Sequence, residues 1–575
     1  MKEQTATIDI PKKTKVTGSD AVLLSLIAEE VDTIFGYPGG AIMPIYDSLM
    51  NYSDKVRHIL TRHEQGAVHA AEGYARVTGK VGVCMATSGP GATNLITGVA
   101  DALMDSTPLV CITGQVAAPS LGTDAFQETD VLGISMPVTK WNYLITKTED
   151  IPWVIAQAFY IAKSGRPGPV VIDITKNAQF GELEFEYKRC LHIRSYDPKP
   201  KVNFSQIESA AELINQAQKP FVLFGQGVVI GRAEEEFRKF LEKSGIPAAW
   251  TILGVAALPT DHPLNMGMLG MHGRYATNIK TNECDLLIAM GMRFDDRVTG
   301  DPKRYAKQAR IIHFEIDPSE VDKNVKVDLA VMADLKDSLP AITEKIKKRN
   351  HSKWIQEFRD LDKIEYEKVV KHDFYPEKEG ITMPEVIRRI NEQTNGDVIW
   401  VTDVGQHQMF ASRYCKITKP RSFITSGGLG TMGFGLPAAH GVKIGAPDKQ
   451  VILFVGDGGI QMTIQELGTI NQTGAAVKIV LMNNRYLGMV RQWQQLFFEK
   501  RYSETYLKNP DFTKVAEGFG ITGKKVLHRQ ELDDAIREML EFKGPYLLEV
   551  TIEKEYNVFP MVPTGASVSE VILGA

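Results

Sequence analysis

The stretches VILFVGDGG, residues 451–459, and VKIVLMNN, residues 477–484, decide the fold. Each opens as an apolar run of strand length and closes on small or polar residues. Such continuous apolar runs belong to strands covered on both faces, as in parallel sheets wrapped by helices. The first run leaves its strand through Gly456-Asp457-Gly458-Gly459. The second leaves through Asn483-Asn484, with 24 residues between Gly458 and Asn483. Two neighbouring parallel strands then present a carboxylate and an amide oxygen at one carboxyl edge, where open α/β sheets bind ligands. Hard oxygen donors of this kind suit Mg²⁺ held jointly with phosphates. Gly458 and Gly459 allow backbone N–H groups to approach a diphosphate at the start of the next helix. A lone Gly-Asp-Gly would read as a strand-ending turn; the second strand at this distance makes the pattern specific.

The same alternation of strand, Gly-rich turn and helix runs outward in both directions. Strand-like runs include Val81–Ala86, Leu109–Thr113, Pro169–Ile174, Phe221–Phe224, Leu286–Met290, Ile311–Ile316 and Val398–Val401, separated by amphipathic stretches such as Ala67–Val77 and Glu234–Lys243. This predicts an α/β protein of three doubly wound parallel-sheet domains. Two polar segments, 181–204 and the highly charged 346–380, read as linkers. They leave domains at 16–180, 205–345 and 381–555, with a C-terminal tail at 556–575. The turns Ser88–Gly91 and Gly427–Gly430 hint at two related folds flanking a third.

The 575 residues are 43% hydrophobic and 24% charged, an ordinary globular composition. With 66 Lys and Arg against 70 Asp and Glu, the net charge is −4, and no basic excess points to nucleic acid. No apolar run approaches a membrane span, and the N-terminal MKEQTATIDIPKKTK lacks a signal-peptide core. Cys84, Cys111, Cys190, Cys284 and Cys415 form no CxxC pair. They read as thiols of a cytoplasmic protein, not as a disulfide or zinc framework.

The Gly-Asp-Gly and Asn-Asn pair resembles the signature of thiamine-diphosphate enzymes. RHEQGAVHAAEGYAR, residues 62–76, is similar to that family's glutamate segment. The likeness narrows to the catalytic subunits of biosynthetic, flavin-containing acetohydroxyacid (acetolactate) synthases, and covers nearly all of residues 16–565. It is borne by FGYPGG (35–40), ATSGPGATN (86–94), GTDAFQE (122–128), SGRPGPVVIDITK (164–176), MLGMHG (268–273), GMRFDDRVTG (291–300), TDVGQHQM (402–409), SGGLGTMGFGLPAA (426–439) and LGMVRQWQ (487–494). Many of these recur across the thiamine superfamily; RFDDRVTG and GMVRQWQ discriminate within it.

The resemblance implies a set of roles. Glu64 bonds the aminopyrimidine and sets its tautomer. Asp457, Asn484 and the Tyr486 carbonyl hold Mg²⁺. Gly405, Gln406, His407, Gly430, Gly458 and Gly459 meet the diphosphate, and Met432 wedges the cofactor into a bent shape. Gly40 offers a backbone N–H to the reacting centre. Phe126, Gln127 and Lys176 line the substrate entrance, and Met489, Val490 and Trp493 face the second substrate. FAD falls to Arg166, Gly225, Gly227, Met268, His272, Gly273, Arg293, Asp295, Arg297, Val298, Glu315, Ile316 and Asp334. The GxGxxG fingerprint itself is broken, since Ile230 stands where its third glycine belongs. The implied reaction joins pyruvate, with loss of CO₂, to a second pyruvate or 2-oxobutyrate, in branched-chain amino acid synthesis. The thiamine site is expected between the first domain of one subunit and the third of another. That implies a homodimer or homotetramer, with a small regulatory subunit. An FAD-dependent pyruvate oxidase is the nearest rival. A flavin-free catabolic synthase is disfavoured by RFDDRVTG, a glyoxylate carboligase by Glu64, and an inactive binding module by intact Glu64, Asp457 and Asn484.

Overall fold

In a computed structural model the chain is described over residues 14–377 and 379–574. The start of the N-terminal stretch read above for a signal peptide lies outside these residues. Three six-stranded sheets form, every strand pair in them parallel. The first runs Arg57–Leu60, Thr33–Gly36, Gly82–Ala86, Leu109–Gln115, Pro169–Thr175, Trp141–Ile145. The third runs Phe423–Ile424, Ile399–Thr402, Val451–Gly456, Val477–Asn483, Tyr546–Thr551, Thr522–Val526. Numbered along the chain within each sheet, both have the order 2-1-3-4-6-5, so the two Gly-rich turns do belong to related folds. The middle sheet runs Asn265–Met268, Ala248–Trp250, Pro220–Phe224, Leu286–Met290, Arg310–Glu315, Leu329–Met332. Its order is 3-2-1-4-5-6, the dinucleotide-fold arrangement.

By compactness the chain divides into two units. One holds the chain up to Asp197 together with Gly428–Pro447 and Thr463–Ala475; the other holds Pro198–Gly427, Asp448–Met462 and Ala476–Ala575. In the first unit, helix Gly435–Gly445 lies against helix Glu64–Thr78 at backbone contact. A Cβ on Gly73 would run into the Ala438 carbonyl, and one on Gly441 into that of Ala70. Small residues on both helices are what let the two backbones meet. In the second unit one apolar core runs from Phe224, Ile288 and Phe314 through to Trp400, Phe454 and Leu548.

Three segments differ from their sequence reading. Within the polar stretch 181–204, Glu182–Phe185 is a strand paired antiparallel with Thr14–Thr17. The charged stretch 346–380 contains helix Ser352–Glu365, then Tyr366–Val370 and Lys371–Phe374. Trp354 and Phe358, one turn apart, are buried. The Trp354 indole donates to the Pro220 carbonyl at 2.9 Å, and Phe358 packs on Phe221 with ring centroids 5.0 Å apart. Two buried aromatics dock this helix, and its many charges are simply its wet face. Residues 556–574 are anchored: Val562 N–H donates to the Met271 carbonyl at 2.8 Å, Ser567 bridges Gly300, and Val568 is buried. Among the described residues no helix is long and apolar enough to cross a membrane.

Candidate active site

In the third sheet the winding reverses between Ile399–Thr402 and Val451–Gly456. The crevice beyond their carboxyl ends is therefore the ligand position of an open α/β sheet. Gly405, Gln406 and His407 follow the first strand, and Asp457, Gly458 and Gly459 the second. Asn484 and Tyr486 leave the adjacent Val477–Asn483. His407 is 3% exposed. A Cβ on Gly405 would lie 2.8 Å from its ring and one on Gly456 3.1 Å, so both glycines make room for it. Burial pushes the imidazole down to about 3, leaving it neutral. Its Nε2 is buried with no partner among the described residues. A sealed ring nitrogen without a partner is costly; carrying a proton, Nε2 would donate to a diphosphate oxygen.

Asp457 is 1% exposed, and burial pushes its carboxyl up to about 6. A cation beside it reverses that logic. Asp457 Oδ2 accepts from Asn509 Nδ2 at 2.6 Å, and the same amide nitrogen donates to Asn483 Oδ1 at 3.0 Å. Asn484 Oδ1 accepts the Tyr486 N–H at 3.0 Å, and an amide oxygen has a second lone pair free for a metal. Carboxylate, amide oxygen and backbone carbonyl make an all-oxygen donor set that fits Mg²⁺. Gln406 is already engaged: its Nε2 donates to Gln492 Oε1 at 3.0 Å and to the Tyr556 carbonyl at 3.1 Å. Asn483 is a support, its Nδ2 donating to Glu549 Oε1 at 2.8 Å. A Cβ on Gly459 would meet the buried Asp403 carboxylate at 2.5 Å, which accounts for glycine there.

The first unit repeats the logic at its own switch point, between Thr33–Gly36 and Gly82–Ala86. Gly39 is a packing glycine, since a Cβ there would lie 2.5 Å from Thr87 Cβ; at Gly40 a Cβ would meet nothing within 4 Å. Glu64, 8% exposed, opens helix Glu64–Thr78, and its Oε2 accepts from Asn94 Nδ2 at 2.9 Å. Its other oxygen stands beside Gly91. The segment before Glu64 is fixed by buried Glu466, which accepts the Arg62 N–H at 3.0 Å and whose carboxyl burial pushes up to about 7. Gln127, at φ +60, backs onto Gly89, where a Cβ would lie 2.8 Å from the Gln127 carbonyl oxygen. The Glu128 carboxylate ties this loop by accepting the Gly122 and Ala125 N–H groups at 2.5 and 3.0 Å. Phe126 is 87% exposed, and Lys176 is exposed at the head of Lys176–Phe180. Met432 is half-buried, with Gly430 and Gly433 at φ +71 and +89 on either side. Gly40, Glu64 and Gln127 thus gather around the loops of one sheet edge.

In the second unit, Gly225 and Gly227 let two turns touch: Cβ atoms there would lie 2.5 Å from Met292 Cβ and 2.6 Å from Gly291 Cα. The turn of Met268, His272 and Gly273 meets that of Arg297 and Val298: the Met271 N–H donates to the Arg297 carbonyl at 2.7 Å, and a Cβ on Gly270 would lie 2.5 Å from the same oxygen. His272 is buried and pushed down to about 4 by burial. Three acidic candidates double as local caps. Asp295 accepts the Arg297 and Val298 N–H groups at 3.0 and 3.1 Å, Glu315 that of Ile316 at 2.8 Å, and Asp334 that of Lys336 at 2.9 Å. Arg166 belongs to the first unit, where its Nε donates to Ser106 Oγ at 2.9 Å. Arg413 went unread in the sequence. It donates to the His272 and Gly273 carbonyls at 3.0 and 3.1 Å and pairs with buried Glu365 at 2.5 Å. The helix that begins at Gln406 is thereby tied to the loop of His272.

Helix Gly488–Phe497 splits its candidates. Met489 packs against the core of the unit, Val490 is 48% exposed, and Trp493 packs on Phe497 with centroids 5.3 Å apart. Asn94, Asn509 and Gln492 were also missed. Each supports a candidate from 30, 52 or 86 residues away, and no spacing rule reaches that far.

Comparison with known proteins agrees with this geometry. Residues 16–134 match the thiamine pyrophosphate enzyme N-terminal TPP binding domain, 207–342 the central domain, and 403–550 the C-terminal TPP binding domain. The acetolactate synthase isozyme 2 large subunit of Escherichia coli is 47% identical over 560 residues, covering 97% of this chain and 99% of that protein. The acetolactate synthase large subunit of Corynebacterium glutamicum is 46% identical, over 97% and 90% of the two chains. A probable acetolactate synthase large subunit of Methanocaldococcus jannaschii is 44% identical, over 96% and 95%. With three thiamine-diphosphate enzyme domains in order and near-full-length identity of this level, the chain belongs to the family of acetolactate synthase large subunits.

Proposed function

We propose that the chain converts two 2-oxo acids to a branched 2-hydroxy acid. Pyruvate loses CO₂, and its two-carbon remainder joins a second pyruvate, giving 2-acetolactate, or 2-oxobutyrate, giving 2-aceto-2-hydroxybutyrate. This is the first common step toward valine, leucine and isoleucine. Thiamine diphosphate, when bound, supplies the carbon nucleophile and the electron sink.

The chain's own residues bind, orient and manage protons. Asp457, Asn484 and the Tyr486 carbonyl hold Mg²⁺, and Gly405, Gln406, His407, Gly430, Gly458 and Gly459 hold the diphosphate. Glu64, with one oxygen fixed by Asn94, keeps the other for the pyrimidine ring. Met432 supports the cofactor, and Gly40 offers an N–H where negative charge develops on oxygen. Phe126, Gln127 and Lys176 admit and orient the 2-oxo acid, while Met489, Val490 and Trp493 wall the second substrate. FAD is held by Arg166, Gly225, Gly227, Met268, His272, Gly273, Arg293, Asp295, Arg297, Val298, Glu315, Ile316 and Asp334. Carboligation moves no net electrons, so the flavin's part is structural. A homodimer or homotetramer with a small regulatory subunit, in the cytoplasm, completes the reading. In this reading one subunit supplies Glu64 and another supplies Asp457 and Asn484.

The observation that bears most weight is the buried, unpartnered Nε2 of His407, whose ring packs on Gly456, the residue before Asp457. The purified chain with pyruvate, thiamine diphosphate and Mg²⁺ is expected to form acetolactate and CO₂ without an electron acceptor, and to release yellow flavin on denaturation. Turnover that requires an electron acceptor and yields no acetolactate would make it an oxidase.

A further inference from the structure

The first unit buries an acidic cluster that none of these roles uses. Glu72, Asp101 and Asp105 are 0%, 0% and 1% exposed. Glu72 lies in helix Glu64–Thr78, Asp101 in helix Ile96–Met104, and Asp105 caps the latter. His69 Nδ1 stands 2.9 Å from Glu72 Oε1, and Arg76 Nη1 donates to Asp105 Oδ2 at 3.1 Å. Burial first, and then the neighbouring Asp101 carboxylate, push the Glu72 carboxyl well up. Charge sealed in this way is costly unless its lone pairs are used.

One oxygen each of Asp101 and Asp105 reaches a single object, the Gly-rich turn that holds Met432. Asp101 Oδ1 accepts the Thr431 hydroxyl at 3.0 Å, and Asp105 Oδ1 accepts the Gly428 N–H at 2.6 Å. At the far end the Gly433 carbonyl accepts the Thr463 hydroxyl at 2.8 Å. Asp101 and Asp105 are four residues apart, on one helix face and about 6 Å apart along its axis. They offer two acceptors to two donors of the turn. Its ends are clamped, Leu429 between them is 45% exposed, and Met432, next to Thr431, is only half-buried. The grip sets the backbone of Met432 and leaves its side chain unclaimed by the core.

We propose that Asp101 and Asp105 are positioning residues for the cofactor: they hold the turn Gly428–Gly433 so that Met432 meets bound thiamine diphosphate in one place. This rests on the reading of Met432 as the cofactor's support. An apolar helix face could pack against the turn equally well. What the carboxylates add is direction, a defined distance to a particular N–H and a particular O–H.

The test compares Thr431→Val, Thr431→Ser, Asp101→Asn and Met432→Ala in the full chain. Three quantities are measured: melting temperature, calorimetric affinity for thiamine diphosphate with Mg²⁺, and hydrogen–deuterium exchange at C2 of the bound cofactor. Displacing a support by about 1 Å can cost on the order of 100-fold. Met432→Ala and Thr431→Val should each slow exchange roughly 10- to 100-fold, on that scale. Thr431→Val should keep its melting temperature, and Thr431→Ser should restore exchange. If Met432→Ala slows exchange and Thr431→Val does not, the positioning role is wrong while the support role stands. If Met432→Ala leaves exchange unchanged, the support role fails and the proposal falls with it. A Thr431→Val chain that loses melting temperature and exchange together, with Thr431→Ser no better, reduces the contact to plain structure. Asp101→Asn serves as the second arm: should it fold, it must behave as Thr431→Val does, and normal exchange in it overturns the proposal.

Discussion

Replacing Glu64 by Gln changes one atom, and the structure says what that atom does. Glu64 Oε2 accepts from the Asn94 amide at 2.9 Å, so this position demands an acceptor. In Glu64→Gln the amide oxygen takes that place, which turns the new NH₂ toward the side of Gly91, where the free carboxylate oxygen stood. The hydrogen bond to Asn94 survives, the volume is unchanged, and stability should fall by no more than about 1 kcal/mol. What is lost is a proton acceptor. Removing a positioned acid–base group typically costs about 10²–10⁴-fold, equivalent to roughly 3–5 kcal/mol of barrier. Acetolactate formation and C2 exchange of the bound cofactor should therefore both drop by that factor, while calorimetric affinity for the cofactor stays within about tenfold, since Mg²⁺ and diphosphate supply most of the binding. Near-normal exchange in the variant would refute the role of Glu64. Loss of binding without loss of exchange per bound cofactor would show that the carboxylate only docks the ring.

Asp457→Ala should abolish Mg²⁺-dependent cofactor binding, because the diphosphate loses its bridging cation; calorimetry with unchanged Mg²⁺ dependence would remove Asp457 from the metal site. Burial raises Glu466 to about 7, so the folded chain holds that proton more tightly than the unfolded one. Its stability contribution is present at low pH and lost as pH rises through about 7. Glu466→Gln should therefore gain on the parent between pH 5 and 8, by roughly 3 kcal/mol at most, and denaturant titrations giving the same difference at both pH values would contradict this. Trp493→Leu should flatten any preference for 2-oxobutyrate over pyruvate as acceptor, within the roughly 10–200-fold that a methylene is worth. An unchanged product ratio in a competition assay would make Trp493 a packing residue.

The strands, the Gly-rich turns and the Gly-Asp-Gly and Asn-Asn pair were legible in the sequence because each is a local pattern. An apolar run such as Val451–Val455 predicts a covered strand from its own residues, and Asp457 needs only its place after that strand to reach the sheet edge. The glycines are equally local, although Gly66 and Gly459 owe their identity to carboxylates, Glu466 and Asp403, far off in the chain. The helix at Ser352–Glu365 was misread because charge density outweighed two aromatics whose burial only a docking strand could reveal. Tertiary structure alone decided the rest. That Asn94 orients Glu64, that Asn509 bridges Asp457 and Asn483, and that Arg413 ties the helix of Gln406 to His272 depends on side chains meeting their partners across 26 to 141 residues. The neutral state of His407 likewise follows from its being sealed from water. Hydrogen bonding and desolvation act over a few ångströms of space, and only the packed chain determines which residues come within that range.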